Sequence, residues 1–418
     1  MRRPPFCPHR GCPCHIDPDS PESATLARRR WFKRNGSYPT NVRGPIARFK
    51  CLECGRGFST QTFSLDYYTK RIIDYDAVRR ELCSSSGVRA SSRSLGCSCD
   101  SVTNRTSRLA RQCISASSRL LSQLSLKENL AADGFESFAV SQYFPNNIHI
   151  LVGALSQLVY FCDSVTLRRS GRMTALQKRI REALEALYRP SPTALTRSFA
   201  ELIAHLHERL KRCEQDPLIL NTDKKLEYCR ALSSCKELEE PLSSGRLVHA
   251  RTDSRRKRDK HNPLYAVNYM DREFRKDLAE HVRETVRFAR NVNHGMERLW
   301  IYLLDHNTHK RYRINDPVRL QRTHALEAGA EETTIARATA HLTTRRRFLS
   351  FEHLEPAALR VWRREYHTPL KGIVKGALRT INRQARRGPV DLQTVCTKLG
   401  VQRLIEDTTQ YLPRYALA

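Results

Sequence analysis

The chain has 418 residues, of which 40% are hydrophobic, and 73 Lys and Arg against 43 Asp and Glu give a net charge of +30. The length predicts two to four domains, and the hydrophobic content excludes a wholly disordered chain. Positive charge along the whole length favours a polyanionic partner, with nucleic acid the first candidate and a membrane surface the second. No stretch reaches the roughly 18 apolar residues of a transmembrane helix, because the best run, residues 148–162, contains Ser156 and Gln157.

The N-terminal part, residues 1–75, is rich in Cys, Pro, Arg and aromatic residues. Its first fifteen residues carry charge but no apolar core, so they do not predict a signal peptide. Fourteen cysteines are too few for a disulfide scaffold in a chain of this length, and they indicate free thiols or metal ligands.

Two short cysteine pairs predict a zinc ribbon in residues 1–75. Zn²⁺ takes four soft ligands, and two tight turns can each supply two thiolates. The ligands would be Cys7, Cys12, Cys51 and Cys54, with Cys14 or His15 as a replacement for Cys12. We expect metal to supply the folding energy, because the segment has few apolar residues for a core. Free cysteines in a loop are the alternative interpretation, and the basic residues 28–34 either contact phosphates or are simply solvated.

Residues 76–126 predict a helix-turn-helix DNA-binding region. A helix begins near Ala77, Gly96 provides a tight turn, and a second helix starts at Ser98 with Val102 and Leu109 facing inward. The second helix would enter the major groove while flanking arginines hold phosphates. The candidate DNA-binding residues are Arg93, Ser98, Asp100, Ser101, Asn104, Arg105, Arg108 and Arg111. An ordinary helical hairpin would give a similar pattern.

Residues 127–315 alternate between strand-like and helix-like patterns. We predict three strands (129–140, 146–155 and 157–167), two amphipathic helices (174–188 and 194–210) and a short strand in 217–228 that ends in Asp223. A basic loop (243–262) and a further helix (264–290) follow. This is the order of a ribonuclease-H-like α/β fold, with a mixed five-stranded sheet and flanking helices. Such a sheet would bring the first and fourth strands side by side.

Two aspartates on those neighbouring strands, Asp133 and Asp223, could share metal ions. Mg²⁺ prefers hard oxygen ligands, and a pair of ions can activate the attacking oxygen and stabilise the leaving oxygen. The simpler interpretations are a solvent-exposed carboxylate for Asp133 and a helix N-cap for Asp223. Asp163 is a rival to Asp223 as the second aspartate, but it lies on the predicted third strand and is therefore less well placed to share metal ions with Asp133.

A third carboxylate should come from the predicted helix 264–290. Its apolar residues recur at helical spacing, and Asp271 lies on the same stripe, whereas Glu273 lies about 200° away on the outer face. A carboxylate on a core-facing stripe is costly unless it is paired or bound to metal. We therefore favour Asp271 over Glu273, with a salt bridge to Arg275 as the alternative role.

At these residues the chain resembles bacterial insertion-sequence transposases of the DDE type, over roughly residues 5–315. Features of that family occur in their usual order, and Asn268-x-x-Asp271 lies where such enzymes often carry Asn-x-x-Glu. The resemblance rests on the four-cysteine pattern closed by FSTQT (58–62), the helix-turn-helix, ADGFESF around Asp133, GRMTALQKR (171–179), LNTDKKLEY (220–228), 262–291 and 296–314.

The resemblance implies a transposase, a metal-dependent polynucleotidyl transferase that hydrolyses DNA at element ends and joins the freed 3′-hydroxyl to target DNA during recombination. It implies Mg²⁺ or Mn²⁺ at Asp133, Asp223 and Asp271, and Zn²⁺ at the N-terminal cysteines. The implied partners are double-stranded element-end and target DNA, with a homodimer or larger assembly at synapsis and no membrane. The implied location is the bacterial cytoplasm, associated with the nucleoid. His281 and Arg283 would either position phosphates or form a plain exposed basic face, which we favour.

Two other functions stay open. One is a zinc-containing DNA-binding transcriptional regulator without catalysis, and the other is a nuclease of the same fold that cuts without joining. Residues 316–418 lie outside the resemblance and predict a helical, basic C-terminal region. That region would either pack on the catalytic domain or serve as a DNA clamp or multimer contact.

Overall fold

The computed structural model describes residues 3–18, 20–282, 285–346, 354, 356–371, 375–391, 393, 397, 405–406 and 410–411. Within these residues, no helix is both long enough and apolar enough to span a membrane.

The N-terminal unit is a small antiparallel sheet beside one helix. It contains α1 (Glu22–Arg28), β1 (Phe32–Tyr38), β2 (Ile46–Cys51) and β3 (Gly57–Ser59), with the strands in the order β1-β2-β3. The expectation that this segment lacks a core is wrong. Trp31 is fully buried and stacks on Phe58 at 5.8 Å between ring centroids, and Phe49 packs beside them. Few residues suffice because aromatic rings bury a large area each.

Three helices follow: α2 (Tyr75–Leu82), α3 (Val88–Ser94) and α4 (Cys99–Ser122). The side chain of Ser98 caps α4 by accepting a hydrogen bond from the backbone N–H of Ser101, and Gly96 in the preceding turn has a φ of +59°. That left-handed conformation favours glycine. Val102 and Leu109 are fully buried, so the predicted turn and inward positions are confirmed.

The central region begins with three strands and continues through alternating elements. They are β4 (Leu130–Phe138), β5 (Pro145–Gly153), β6 (Val159–Thr166), α5 (Ala175–Glu185), β7 (Tyr188–Arg189), α6 (Ala194–Leu210), β8 (Leu218–Asp223), α7 (Leu226–Ser233), α8 (Glu239–Ser243), β9 (Leu247–Thr252), α9 (Tyr265–Asp277) and α10 (Val292–Thr308). Short 3₁₀ helices lie at Thr60–Phe63, Lys236–Leu238 and Val318–Leu320.

Five of these strands form one mixed sheet in the order β6-β5-β4-β8-β9. The first three are antiparallel neighbours, whereas β8 runs parallel to both β4 and β9. The predicted mixed five-stranded sheet with flanking helices is confirmed. The predicted basic loop 243–262 is partly wrong, because Leu247–Thr252 forms the edge strand β9, with both end residues buried.

Helices cover both faces of the sheet. His149 on β5 contacts Phe199 of α6, and Phe135 on β4 contacts Phe274 of α9. His149 pairs with Gly134, the neighbour of Phe135, so these contacts lie on opposite faces. The helix predicted over 264–290 is wrong in length. It ends at Asp277, whose carbonyl accepts a hydrogen bond from the backbone N–H of Ser85 at 2.7 Å.

The described part of the C-terminal region contains four α-helices and three two-residue strands, so it is partly helical. It contains α11 (His324–Glu327), α12 (Glu332–Thr339), α13 (Pro356–Arg363), β10 (Arg364–Glu365), α14 (Lys375–Arg387), β11 (Ile405–Glu406) and β12 (Gln410–Tyr411). β10 pairs with β12, and β11 pairs with β7. A single hydrophobic core runs from Leu65 through α2, α4 and the sheet to Trp362 of α13. The helical region, the sheet and helices α11 to α13 are therefore packed together.

Candidate acidic and four-cysteine sites

Asp133 lies in the middle of β4, a central strand of the sheet. Its Oδ1 accepts a hydrogen bond from the Tyr228 hydroxyl at 3.0 Å and lies 3.4 Å from the Lys225 ammonium. The following residue must be small, because a Cβ on Gly134 would lie 1.9 Å from the side chain of Asn147. The Asp-Gly pair is thus explained by close packing on the other face of the strand.

Asp223 ends β8, the strand that runs parallel to β4. Its Oδ1 accepts a hydrogen bond from the backbone N–H of Lys225 at 2.9 Å, and its Oδ2 lies 3.4 Å from the Lys225 ammonium. One cation therefore lies between the carboxylates of Asp133 and Asp223. Desolvation lowers the pKa of Lys225, but the two carboxylates outweigh it and raise that pKa above its usual value.

Asp271 approaches Asp133 from α9. Phe135 shares a strand face with Asp133 and contacts Phe274, which follows Asp271 by three residues on the helix. Burial first, and then the negative charge of Asp133, raise the pKa of Asp271 to about 7. Its Oδ1 is buried and accepts no hydrogen bond from any described residue.

Glu273, the rival third carboxylate, has a different environment from the one predicted. It is buried rather than on an outer face, and its carboxylate pairs with Lys276 at 2.8 Å and with Lys310. The prediction failed because Lys310 follows α10, an element whose position helical periodicity cannot reveal. Glu273 is neutralised by these two lysines, whereas Asp271 experiences the negative charge of Asp133.

Asp163, the rival second aspartate, is fully buried on β6. Its Oδ1 lies 2.6 Å from Arg364 and accepts a hydrogen bond from the Tyr366 hydroxyl at 2.9 Å. Its Oδ2 accepts a hydrogen bond from Ser198 at 2.7 Å. Asp163 therefore anchors the C-terminal region to the sheet.

His281 was favoured as part of an exposed basic face, and that prediction is wrong. The chain has left α9 by this point, and His281 is buried, with its Nδ1 2.9 Å from the Ser137 hydroxyl. Burial lowers the pKa of His281 to about 4, so the ring is neutral. Arg283 lies outside the described residues.

The four predicted zinc ligands form one cluster. Their sulfur atoms all lie within 4.8 Å of one another, with Cys7 3.7 Å from Cys54 and Cys12 3.7 Å from Cys51. Sulfurs at about 2.3 Å from a tetrahedral Zn²⁺ would be about 3.8 Å apart. The cysteines are thus positioned to bind a metal, and their spacing is compatible with zinc.

Cys14 and His15, the alternatives to Cys12, lie outside this cluster. The backbone N–H of Cys14 donates to the sulfur of Cys12 at 3.4 Å, and the Nδ1 of His15 lies 2.8 Å from the Cys7 carbonyl. Burial first, and then the neighbouring cysteines, raise the pKa of Cys14 to about 12. Both residues support the cysteine turn from outside the sulfur cluster.

The four cysteines are, among the described residues, the one group whose metal-binding atoms converge this closely. The three aspartates do not meet at that distance. Their surroundings are cationic, because Arg275, Arg258 and Lys225 all act on Asp271 to lower its pKa against the larger effect of burial. Lys225 and Tyr228 were not predicted as site residues, although both lie in the segment LNTDKKLEY (220–228).

The predicted DNA-binding residues include three exposed residues and three arginines that donate to backbone carbonyls. Arg93 and Asn104 are exposed, and Ser98 is exposed at the start of α4. Arg105 is buried and donates to the carbonyl of Arg71 at 2.8 Å. Arg108 donates to the carbonyls of Leu65 and Tyr67, and Arg111 to the carbonyl of Trp362. These three guanidinium groups have protein partners, so a role on DNA stays a prediction.

Comparison with protein families finds no family model that matches the chain. No curated protein matches it either.

Proposed function

We propose that the chain is a DDE-type DNA transposase that cleaves and joins DNA at an acidic centre of Asp133, Asp223 and Asp271. The observation that carries the proposal is the position of the first two carboxylates. They lie on adjacent parallel strands at the centre of the sheet, and both reach the ammonium group of Lys225. Two carboxylates that share one cation form a suitable site for a divalent ion.

The sheet order supports a ribonuclease-H-like fold. Three antiparallel strands are followed by two strands parallel to the first, and the first strand lies between the second and the fourth. This is the topology that the resemblance implies, with Asp133 on the first strand and Asp223 ending the fourth.

The chemistry of the three side chains would suit Mg²⁺ or Mn²⁺. All three side chains offer hard carboxylate oxygens, and the buried Oδ1 of Asp271 has no hydrogen-bond donor among the described residues. Bound ions would supply the charge that activates water and stabilises the leaving oxygen. The chain's own part is to hold the ions through Asp133, Asp223 and Asp271, and to move the Lys225 ammonium away from the carboxylates.

The remaining parts of the proposal concern the DNA and its placement. The substrates would be double-stranded element ends and target DNA, held by a homodimer or larger assembly in the bacterial nucleoid. The zinc-ribbon unit and the helices α2 to α4 would bind DNA, which the net charge of +30 favours. The water-exposed basic residues after β9, Arg255 to Arg258, lie on the chain between Asp223 and Asp271 and would meet phosphates near the acids.

The decisive test replaces Asp133 with Asn, which keeps the shape of the side chain and removes its charge. With DNA that flanks the coding sequence and with Mg²⁺, we expect Asp133→Asn to lower cleavage at least 100-fold while DNA binding persists. Asp253→Asn is the matched control, because Asp253 is an exposed aspartate paired with Lys224 near the same sheet end. Cleavage by Asp133→Asn at the normal rate would refute the catalytic role.

The same assay separates the alternative functions. A transcriptional regulator would bind the DNA, and the wild-type chain would leave it intact. A nuclease would cut it, but no joined products would appear when target DNA is supplied. Joined products that disappear in Asp133→Asn and persist in Asp253→Asn would support transposition.

A further inference from the structure

A groove of about 1230 Å³ opens along the N-terminal unit and the segment that follows it. We call it the ribbon groove. Of its described lining residues, none is Asp or Glu, while Arg43, Arg48, Lys70 and Arg346 contribute positive charge. Arg43 is already neutralised by Asp66 at 3.0 Å. Arg48 and Lys70 are exposed and form no ion pair with a described carboxylate.

The sheet beside the groove carries like charges that face each other. Lys33 on β1 and Lys50 on β2 are direct cross-strand partners, and both are exposed. Arg48 lies two residues from Lys50 and so shares its face. Like charges directly opposite each other destabilise a strand pair. A bound polyanion would relieve this repulsion, so the charge pattern is complementary to a nucleic-acid backbone.

Tyr68 is the second, independent feature of the ribbon groove. It is 78% exposed and has a φ of +54°. A tyrosine with a left-handed backbone is unusual, and such strain is concentrated at functional positions. The conformation presents a large aromatic ring to solvent beside the cations. Such a ring can stack on an unpaired base, whereas a duplex hides the faces of its bases.

We propose that the ribbon groove binds single-stranded DNA, with a base stacked on Tyr68 and phosphates paired with Arg48 and Lys70. Lys33 and Lys50 extend the phosphate track along the sheet. This inference rests on the proposed function, because it takes DNA as the substrate. It adds a site for unpaired strands, at a distance in sequence from the acidic centre.

The test is fluorescence anisotropy of the full chain with a labelled 20-nucleotide oligo-dT, compared with a duplex of the same length, without Mg²⁺. We expect Tyr68→Ala to weaken oligo-dT binding about 5- to 150-fold, the range of a lost base–aromatic stack. Tyr68→Phe should bind as the wild type does, because the ring is kept. Each variant's melting temperature should be unchanged, since the side chain is exposed.

The charge contribution is measured by salt dependence. Each single-strand phosphate contact contributes about 0.7 to the slope of log K against log salt. The double variant Arg48→Ala with Lys70→Ala should therefore lower the slope by about 1.4. Lys236→Ala is the control, because Lys236 is exposed on an acid-rich segment away from the groove lining. It should leave the slope unchanged.

Normal oligo-dT binding by Tyr68→Ala would overturn the inference, and so would an equal loss on the duplex. Either result leaves the proposed function standing. Conversely, full cleavage by Asp133→Asn would refute the proposed function, whatever Tyr68→Ala does to binding.

Discussion

Asp271 is a carboxylate whose charge depends on its surroundings. Burial and the neighbouring Asp133 raise its pKa from 3.8 to about 7, so the fold favours the neutral acid. Relative to an aspartate with an ordinary pKa, Asp271 makes its full contribution to the free energy of unfolding below pH 3.8 and loses it as the pH rises through 7. Without a bound divalent ion, Asp271 therefore destabilises the protein at pH 8.

Replacement by Asn should remove this pH dependence. We expect Asp271→Asn to raise the free energy of unfolding relative to wild type, with a gain that grows from pH 5 to pH 8. The upper limit is about 4 kcal/mol, because one pKa unit corresponds to about 1.4 kcal/mol. Urea unfolding in buffer with Zn²⁺ but no Mg²⁺ measures the gain. Asp253→Asn should show none, and an equal gain at both pH values for Asp271→Asn would contradict the buried-acid explanation.

At the scale of elements, two tight turns build the cysteine cluster. The Cys51 turn includes Gly55 with a φ of +70°, and backbone N–H groups of Cys54 and Glu53 lower the pKa of Cys51 against the larger single effect of burial. A backbone that stabilises a thiolate suits a metal ligand. The aromatic core around Trp31 holds the two turns together.

Substitution of single cysteines should distinguish a zinc ligand from a neighbouring cysteine that does not bind the metal. We expect Cys12→Ser to lose the bound zinc and the protease resistance of residues 3–60, because three sulfurs hold the metal less well than four. Cys14→Ser should keep one zinc per chain, since Cys14 is equally buried but outside the cluster. Metal analysis and limited proteolysis supply the measurements. Zinc loss in both variants would contradict the ligand assignment.

Helix α4 depends on arginines that bond to the protein itself. Arg108 donates to the carbonyls of Leu65 and Tyr67, each at 2.8 Å, and lies 4.0 Å above the Tyr67 ring. We expect Arg108→Ala to lower the free energy of unfolding by about 2 kcal/mol, because two carbonyls lose a charged donor. Exposed Arg93 is the control, and Arg93→Ala should change it by less than about 0.5 kcal/mol. Unchanged stability of Arg108→Ala with weaker DNA binding would instead favour a phosphate contact.

At the scale of the whole molecule, the C-terminal region is joined to the sheet through a buried charge pair. The Arg364 side chain lies 2.6 Å from fully buried Asp163, while Trp362 belongs to the same core as the sheet. Breaking one side of such a pair leaves an uncompensated charge. The region therefore packs on the sheet in the described residues, which was one of the two roles predicted for it.

Arg364→Met should cost about 3 kcal/mol of unfolding free energy, because Asp163 would stay buried without its cation. Adding Asp163→Asn should recover part of that loss, and a double-mutant cycle by urea unfolding measures the coupling. Arg360→Met is the comparison, because Arg360 and Glu201 form a more exposed pair at 3.7 Å, with an expected effect below about 1 kcal/mol. Strictly additive effects of the two substitutions at Asp163 and Arg364 would contradict a coupled anchor.

Local patterns in the sequence determined the strands that carry Asp133 and Asp223, the cysteine pairs and the turn at Gly96. Each depends on side-chain periodicity or on turn chemistry within a few residues. Only the tertiary structure decided which of several similar groups are engaged. Lys310 neutralises Glu273 from beyond α10, and the backbone N–H of Ser85 donates a hydrogen bond to the carbonyl of Asp277, where α9 ends. Lys225 joins Asp133 and Asp223, which lie on strands distant in sequence. The sequence could not reveal this contact, because contacts between distant segments depend on how the elements pack and leave no periodic trace in the sequence.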